Sequence, residues 1–121
     1  MKTVIIAALA AALLLPGTAQ ANRDDDMQAD LRCVLAMYAT ARNPQLAQGA
    51  GVALLYYAGR IEGRDPGLDL TAALAKEAQR MNASDYSFNA RRCGDEVKAK
   101  GEVVKAVGQS LQQANRRGVG D

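Results

Sequence analysis

Histidine is absent from the 121 residues, which removes the usual imidazole base, any histidine-ligated metal site and the ordinary Ser/His/Asp triad. Cysteine occurs only twice, at Cys33 and Cys93, with no Cys-x-x-Cys spacing, which argues against a redox couple or a metal centre. Runs of β-branched residues are scarce from residue 22 onward, so no strand is expected. Without a strand there is also no glycine-rich loop of the phosphate-cradling kind. The acids Glu62, Glu77, Glu96 and Glu102 sit singly on predicted helices and read as caps or surface partners, Glu96 with Lys100 as an i, i+4 pair. Catalytic residues, cofactors and metals are therefore not expected, and neither is enzymatic activity.

An excess of charge is missing too. From Asn22 onward, 14 bases face 13 acids, a formal charge of +1 that gives no electrostatic case for nucleic acid or a strongly anionic membrane. The acids Asp24, Asp25 and Asp26 are clustered, but without the glycine and distal glutamate of a calcium loop they read as helix caps that favour the dipole.

An export signal is present. Lys2 gives a positive start, Val4 to Leu15 is an apolar run broken by Pro16-Gly17, and Ala19-Gln20-Ala21 offers the small residues a signal peptidase reads. The expected division is a cleaved signal peptide over 1–21 and a single domain over 22–121. The apolar run is too short to span a hydrocarbon layer of ~30 Å. An exported chain with two cysteines is expected to join them, and closing a loop of about 60 residues restricts the unfolded chain by roughly 4 kcal/mol.

The remaining pattern is helical. Met27, Leu31, Val34, Leu35 and Tyr38 form a stripe that predicts a first helix over about 27–42. Asn43-Pro44 predicts the start of a second helix reaching Glu62, with apolar residues on every face of its middle and hence a buried central place. Gly51, Ala58 and Gly59 would let neighbours approach it closely. Asp65-Pro66-Gly67 marks a turn, Asp69 caps a third helix over 70–81, and Ser84 or Asp85 caps a fourth that runs to about Asn115.

The fold class expected is all-α: a small four-helix up-and-down bundle with a long C-terminal helix, stapled by Cys33–Cys93, with the first and last helices antiparallel neighbours. The last helix carries a seam of Tyr86, Ala90, Cys93, Val97, Val104, Val107 and Leu111. Beside it, Gly94, Gly101 and Gly108 recur every seven residues. Such glycines cost roughly 2–3 kcal/mol of helix propensity together, so they read as a ridge for close packing, either inside the bundle or against a partner. The C-terminal overhang, with Lys98, Lys105, Arg116 and Arg117, reads first as a solvated face with basic residues at the dipole's negative end, and is the best candidate for an exposed contact surface. An apolar pocket lined by Leu54, Leu55, Tyr57 and Val104 is the alternative site.

The run from Leu55 through Arg60 to Pro66, then Leu68-Asp69-Leu70, with Arg92-Cys93-Gly94 ahead of the last stretch, resembles short exported helical proteins of alphaproteobacteria. That resemblance implies a Gram-negative periplasm and brings no activity with it. More loosely, the chain is similar to the HdeA-type acid-stress chaperones, small periplasmic helical proteins with one disulfide joining early and late helices. The function expected is a periplasmic interaction module that binds a protein partner. A holdase-type chaperone and a carrier of a small apolar ligand are the alternatives, with the oligomeric state open between monomer and dimer.

Overall fold

A computed structural model describes residues 17–118, with side-chain surroundings from Ala21 onward; the apolar Val4–Leu15 run lies outside the described residues. Four helices follow one another: α1 (Gly17–Thr40), α2 (Ala47–Arg64), α3 (Leu70–Ala78) and α4 (Ala83–Gly118), with no strand among the described residues. The all-α, four-helix architecture with a long last helix is thus the one observed. Several boundaries differ from the sequence expectation, each for a local reason.

Helix α1 begins ten residues before Met27, so Asp24, Asp25 and Asp26 lie inside it as exposed residues and do not cap its start. The upstream Ala-Gln-Ala stretch consists of good helix formers that carry the helix past them. Pro44 does not open α2. The Asn43 carboxamide instead accepts from the backbone N–H of Gln45 at 3.0 Å, a local turn, and α2 starts after Leu46 without a side-chain cap. Asp69 caps α3 as expected, accepting from Ala72 N at 3.0 Å. The cap of α4 is neither Ser84 nor Asp85 alone. Asn82 Oδ1 accepts from Asp85 N at 3.0 Å while Asp85 Oδ2 accepts from Asn82 N at 2.9 Å, a reciprocal pair that satisfies two orphan donors.

The centre of the structure is α1, not α2. Helix α1 packs against all three others, α2 also meets α4, and α3 packs on α1 alone. This explains its wide buried face: Asp30, Leu31, Cys33, Val34, Ala36 and Met37 are all buried, whereas Tyr38, assigned to the apolar stripe, points out to solvent. Helix α2 is one-sided. Ala50, Ala53, Tyr57 and Ile61 face inward, and Val52 and Leu55 are exposed, Leu55 at 78%. The core cluster joins Leu31, Cys33, Val34 and Met37 to Ala53, Tyr57, Ile61 and Cys93.

Cys33 and Cys93 form the disulfide, with Cα atoms 5.6 Å apart. The two helices it joins run parallel, which corrects the antiparallel expectation. Asp25, Gln28 and Ala29 share a cleft with Asp85, Phe88 and Asn89; farther along, Met37 and Thr40 share one with Gly94 and Val97. Residue numbers therefore rise together on both helices. Helix α2 returns antiparallel to α1, as Arg64 reaches Asp26 and Asp30 while Ala50 and Ala53 sit near Met37. The short α3 stays near that end, with Glu77 against Gln28 and Arg32, and α4 sets out from there.

Running parallel to α1, α4 outlasts it. Its 36 residues give a rod of about 54 Å at 1.5 Å per residue. From Ala99 to Gly118 every residue except Gly108 is exposed, a single continuous helix beyond the packed body.

Candidate functional site

Two groups of residues stand out: a set of acid–arginine clamps between the helices, and the uncovered half of α4. The clamps start from carboxylates on apolar faces. Asp30, 2% exposed, follows Met27 by three residues and so sits in the seam of α1 among Leu31 and Val34. Burying a lone carboxylate is costly unless it is paired and hydrogen-bonded. The pairing comes from α2: Arg64 binds Asp30 Oδ2, and Arg60 Nε lies 3.2 Å from the same oxygen.

Arg60 turns its other face to α4, where its Nη1 pairs with Glu96 Oε1. Tyr56 donates to that same Glu96 oxygen at 3.1 Å, and the Tyr57 hydroxyl stands 3.0 Å from Glu96 Oε2 and 3.2 Å from the Cys93 carbonyl. The guanidinium also lies over both tyrosine rings, at 5.4 and 5.5 Å from their centroids. Arg60 thus ties α1, α2 and α4 together through Asp30 and Glu96. Glu96 is not the surface partner of Lys100 that its i, i+4 spacing suggested.

A second clamp holds α3. Glu77, 3% exposed, receives Arg32 Nε at 2.6 Å and Gln28 Nε2 at 3.1 Å from α1, with Arg80 at 3.5 Å from the turn that follows α3. A third contact ties the start of α4 to α1: Arg92 Nη2 donates to the Ala29 carbonyl at 3.2 Å and to Asn89 Oδ1 at 3.0 Å. Among the described residues no buried side-chain polar atom lacks a partner.

Burial, opposed by its hydrogen bonds and by Arg60, acts on Glu96, and the net result is a carboxyl held below the usual range. Burial, followed by the bond to Glu96, pushes the Tyr57 phenol well above its ordinary value. Burial alone would lower Arg60, but the Tyr56 bond and the charges of Asp30 and Glu96 outweigh it and raise it. A depressed acid beside an elevated phenol is the reverse of what acid–base work near neutrality needs. It is what interhelical clamps need, since each group is kept in the form its partners favour.

Removal of one hydroxyl tests the clamp at its centre. Tyr57→Phe is expected to lower stability by about 1–2 kcal/mol, since Glu96 loses a donor while the ring keeps its packing. A raised phenol also makes the folded state the weaker acid, so the wild-type protein should lose stability as pH climbs above about 10, and Tyr57→Phe should lose less. Urea titrations at pH 7 and at alkaline pH read both effects.

The residues expected to form a ridge or a pocket fall differently. At Gly51, Gly59, Gly94, Gly101 and Gly108 nothing lies within 4 Å of where a Cβ would stand, so none of them serves close packing between helices of the bundle. Gly101 and Gly108 lie on the uncovered half of α4 with Lys98, Lys105, Arg116 and Arg117. The expected pocket of Leu54, Leu55, Tyr57 and Val104 does not form. Leu54 packs at the core edge, Tyr57 is buried in the clamp, Leu55 faces solvent, and Val104 is on the overhang at 70% exposure. An apolar cleft of about 300 Å³ does exist, lined by Met37, Leu46, Ala50, Ala53, Ala90 and Val97. Among the described residues no group of three or more Asp, Glu, Cys or His side chains is placed to hold a metal.

The free half of α4 carries an apolar stripe. Val103, Val104, Val107 and Leu111 are 52–70% exposed and lie within one face at three–four spacing. No protein-family model, curated protein or solved structure matches the chain, so its site is built from its own residues alone.

Proposed function

We propose that the protein is an exported, periplasmic interaction module that acts by binding and not by catalysis, with the free half of α4 as its contact element. The observation that carries this reading is an apolar stripe on a helix with nothing packed against it from Ala99 to Gly118, on a body whose buried acids are all engaged in holding helices together. A soluble domain seldom leaves such a stripe uncovered unless something binds there. The disulfide and the leader-like start support the periplasmic assignment.

A photo-crosslinking residue placed at Val107 in the living cell tests the reading. Adducts to a discrete protein or to lipid are expected; a residue that reacts with water alone, while the protein remains folded, would sink it.

A holdase-type chaperone is the second reading, favoured by one observation. Glu96 is the acid through which Arg60, Tyr56 and Tyr57 hold α2 to α4, so its protonation weakens that contact. Glu96, held low when folded, contributes stability above the ordinary carboxyl range that is lost as pH falls from about 4.5 through its lower folded value. That reading expects acid-induced exposure of apolar surface and protection of an unfolded client at about pH 3; a native near-ultraviolet spectrum at that pH counts against it.

A further inference from the structure

The near-zero net charge conceals a segregation that the fold makes spatial. From Lys98 to the end of the chain, Lys98, Lys100, Lys105, Arg116 and Arg117 face two acids, Glu102 and Asp121, a local charge of +3. From Asn22 to Val97 the balance is reversed, with eleven acids against nine bases. The net positive charge therefore falls on the free half of α4, which also carries the exposed apolar stripe.

Their placement around the helix is ordered. At 100° per residue, Val97, Val104, Val107 and Leu111 fall within one arc, edged by Gly101 and Gly108. Lys98, Lys105 and Arg116 line up beyond the glycine edge, and Lys100 sits inside the apolar arc itself. A stripe of apolar side chains with cations beside it, on a helix of low mean hydropathy, is the composition of a helix that lies in a lipid interface.

Deepening the interaction reading above, on which it rests, we propose that the free half of α4 docks on an anionic lipid surface, lying in the plane of the headgroups with Val103, Val104, Val107 and Leu111 inserted. Three observations favour this occupant over others. A second copy would set +3 against +3. A protein groove would have to bury the Lys100 ammonium among valines, at a desolvation cost, whereas at a lipid interface its four-carbon stem lets the charge reach the headgroups. The stripe also lacks the aromatic or arginine anchors that concentrate energy in protein interfaces. Among the described residues no helix is long and apolar enough to cross a membrane.

The test uses the chain Asn22–Asp121, so that the Val4–Leu15 run cannot contribute, and vesicles of phosphatidylcholine alone or mixed with phosphatidylglycerol. Co-sedimentation with the anionic vesicles is expected, weakened by salt, with helicity rising on binding because a free helix carrying two glycines is marginal in water. Lys98→Gln, Lys105→Gln and Arg116→Gln combined should weaken binding on the order of 100-fold, from about 1 kcal/mol per cation near an anionic surface. Val104→Gln with Leu111→Gln should weaken it on the order of 100-fold as well, at about 1.5 kcal/mol per inserted side chain; both sets alter exposed residues and leave the body intact. Equal binding to neutral vesicles, or none to anionic ones, overturns the proposal, as does a dimer in sedimentation velocity that the Val104/Leu111 variant abolishes. A discrete protein adduct at Val107 with no vesicle binding would overturn the lipid assignment alone, while water-only reaction there would remove the interaction reading as well.

Discussion

Replacing both cysteines, Cys33→Ser with Cys93→Ser, is expected to cost about 4 kcal/mol, because the bond closes a loop of 60 residues in the unfolded chain. For a domain of this length that corresponds to a melting temperature lower by roughly 15–30 °C. The expected loss is large against the total stability of about 5–15 kcal/mol typical of such domains. Both sulfurs are fully buried in the core cluster, so serine would also place two hydroxyls in an apolar setting. Thermal denaturation of the variant, and of wild type with and without reductant, separates the two contributions: reduction removes the crosslink alone. A midpoint unchanged by either treatment would mean that the loop contributes nothing and that the clamps suffice.

Asp30→Ala carries the second large effect, about 3 kcal/mol. Breaking a buried ion pair by deleting one partner ordinarily costs about 3–5 kcal/mol. The lower end applies because Arg60 and Arg64 keep 31% and 29% side-chain exposure and can turn to water once released. Arg60 then loses one of the two acids that fix it over the tyrosines, so the bond to Glu96 should weaken as well. Asp30→Asn should fall between the two, retaining an oxygen for one arginine. Chemical denaturation at pH 7 measures the series, and a double-mutant cycle with Glu96→Gln measures the coupling. A cycle that closes to zero would show that Arg60 does not connect the acids.

The helical class, the cap at Asp69 and the disulfide were all legible in the chain, because periodicity, capping chemistry and cysteine number are local or nearly so. The direction of α4 was not. One crosslink fixes a single point of contact between two helices and leaves their relative direction open, and nothing in the spacing of Cys33 and Cys93 distinguishes parallel from antiparallel. Nor does an apolar stripe say how many neighbours will cover it, which is why α2, with its dense Val52–Leu55 run, looked more central than α1.

The clamps left a fainter trace. Asp30 between Met27 and Leu31, Glu77 after Ala73 and Leu74, and Glu96 beside Val97 are each acids at positions where a helix is otherwise apolar. An acid in a seam asks for a cation opposite, and Arg60, Arg64 and Arg32 supply it. Which arginine meets which acid depends on helix crossing, which no single-helix pattern contains. The glycine spacing does not say where its neighbour lies for the same reason: nothing of the bundle meets Gly94, Gly101 or Gly108, and α4 has left the body before Gly101.

The central place of α1 bears on how the molecule is assembled. A chain made from its amino terminus produces first the helix on which every other helix will lie. Helix α2 can fold back onto it as a local hairpin, and α3 can follow while still close in sequence. Only α4 must find its track across 60 residues, laid alongside a helix whose other flanks are already occupied, and contacts so distant in sequence are the slow ones to form. The covalent bond then closes behind the last arrival, so that an oxidant acting too early meets Cys33 alone.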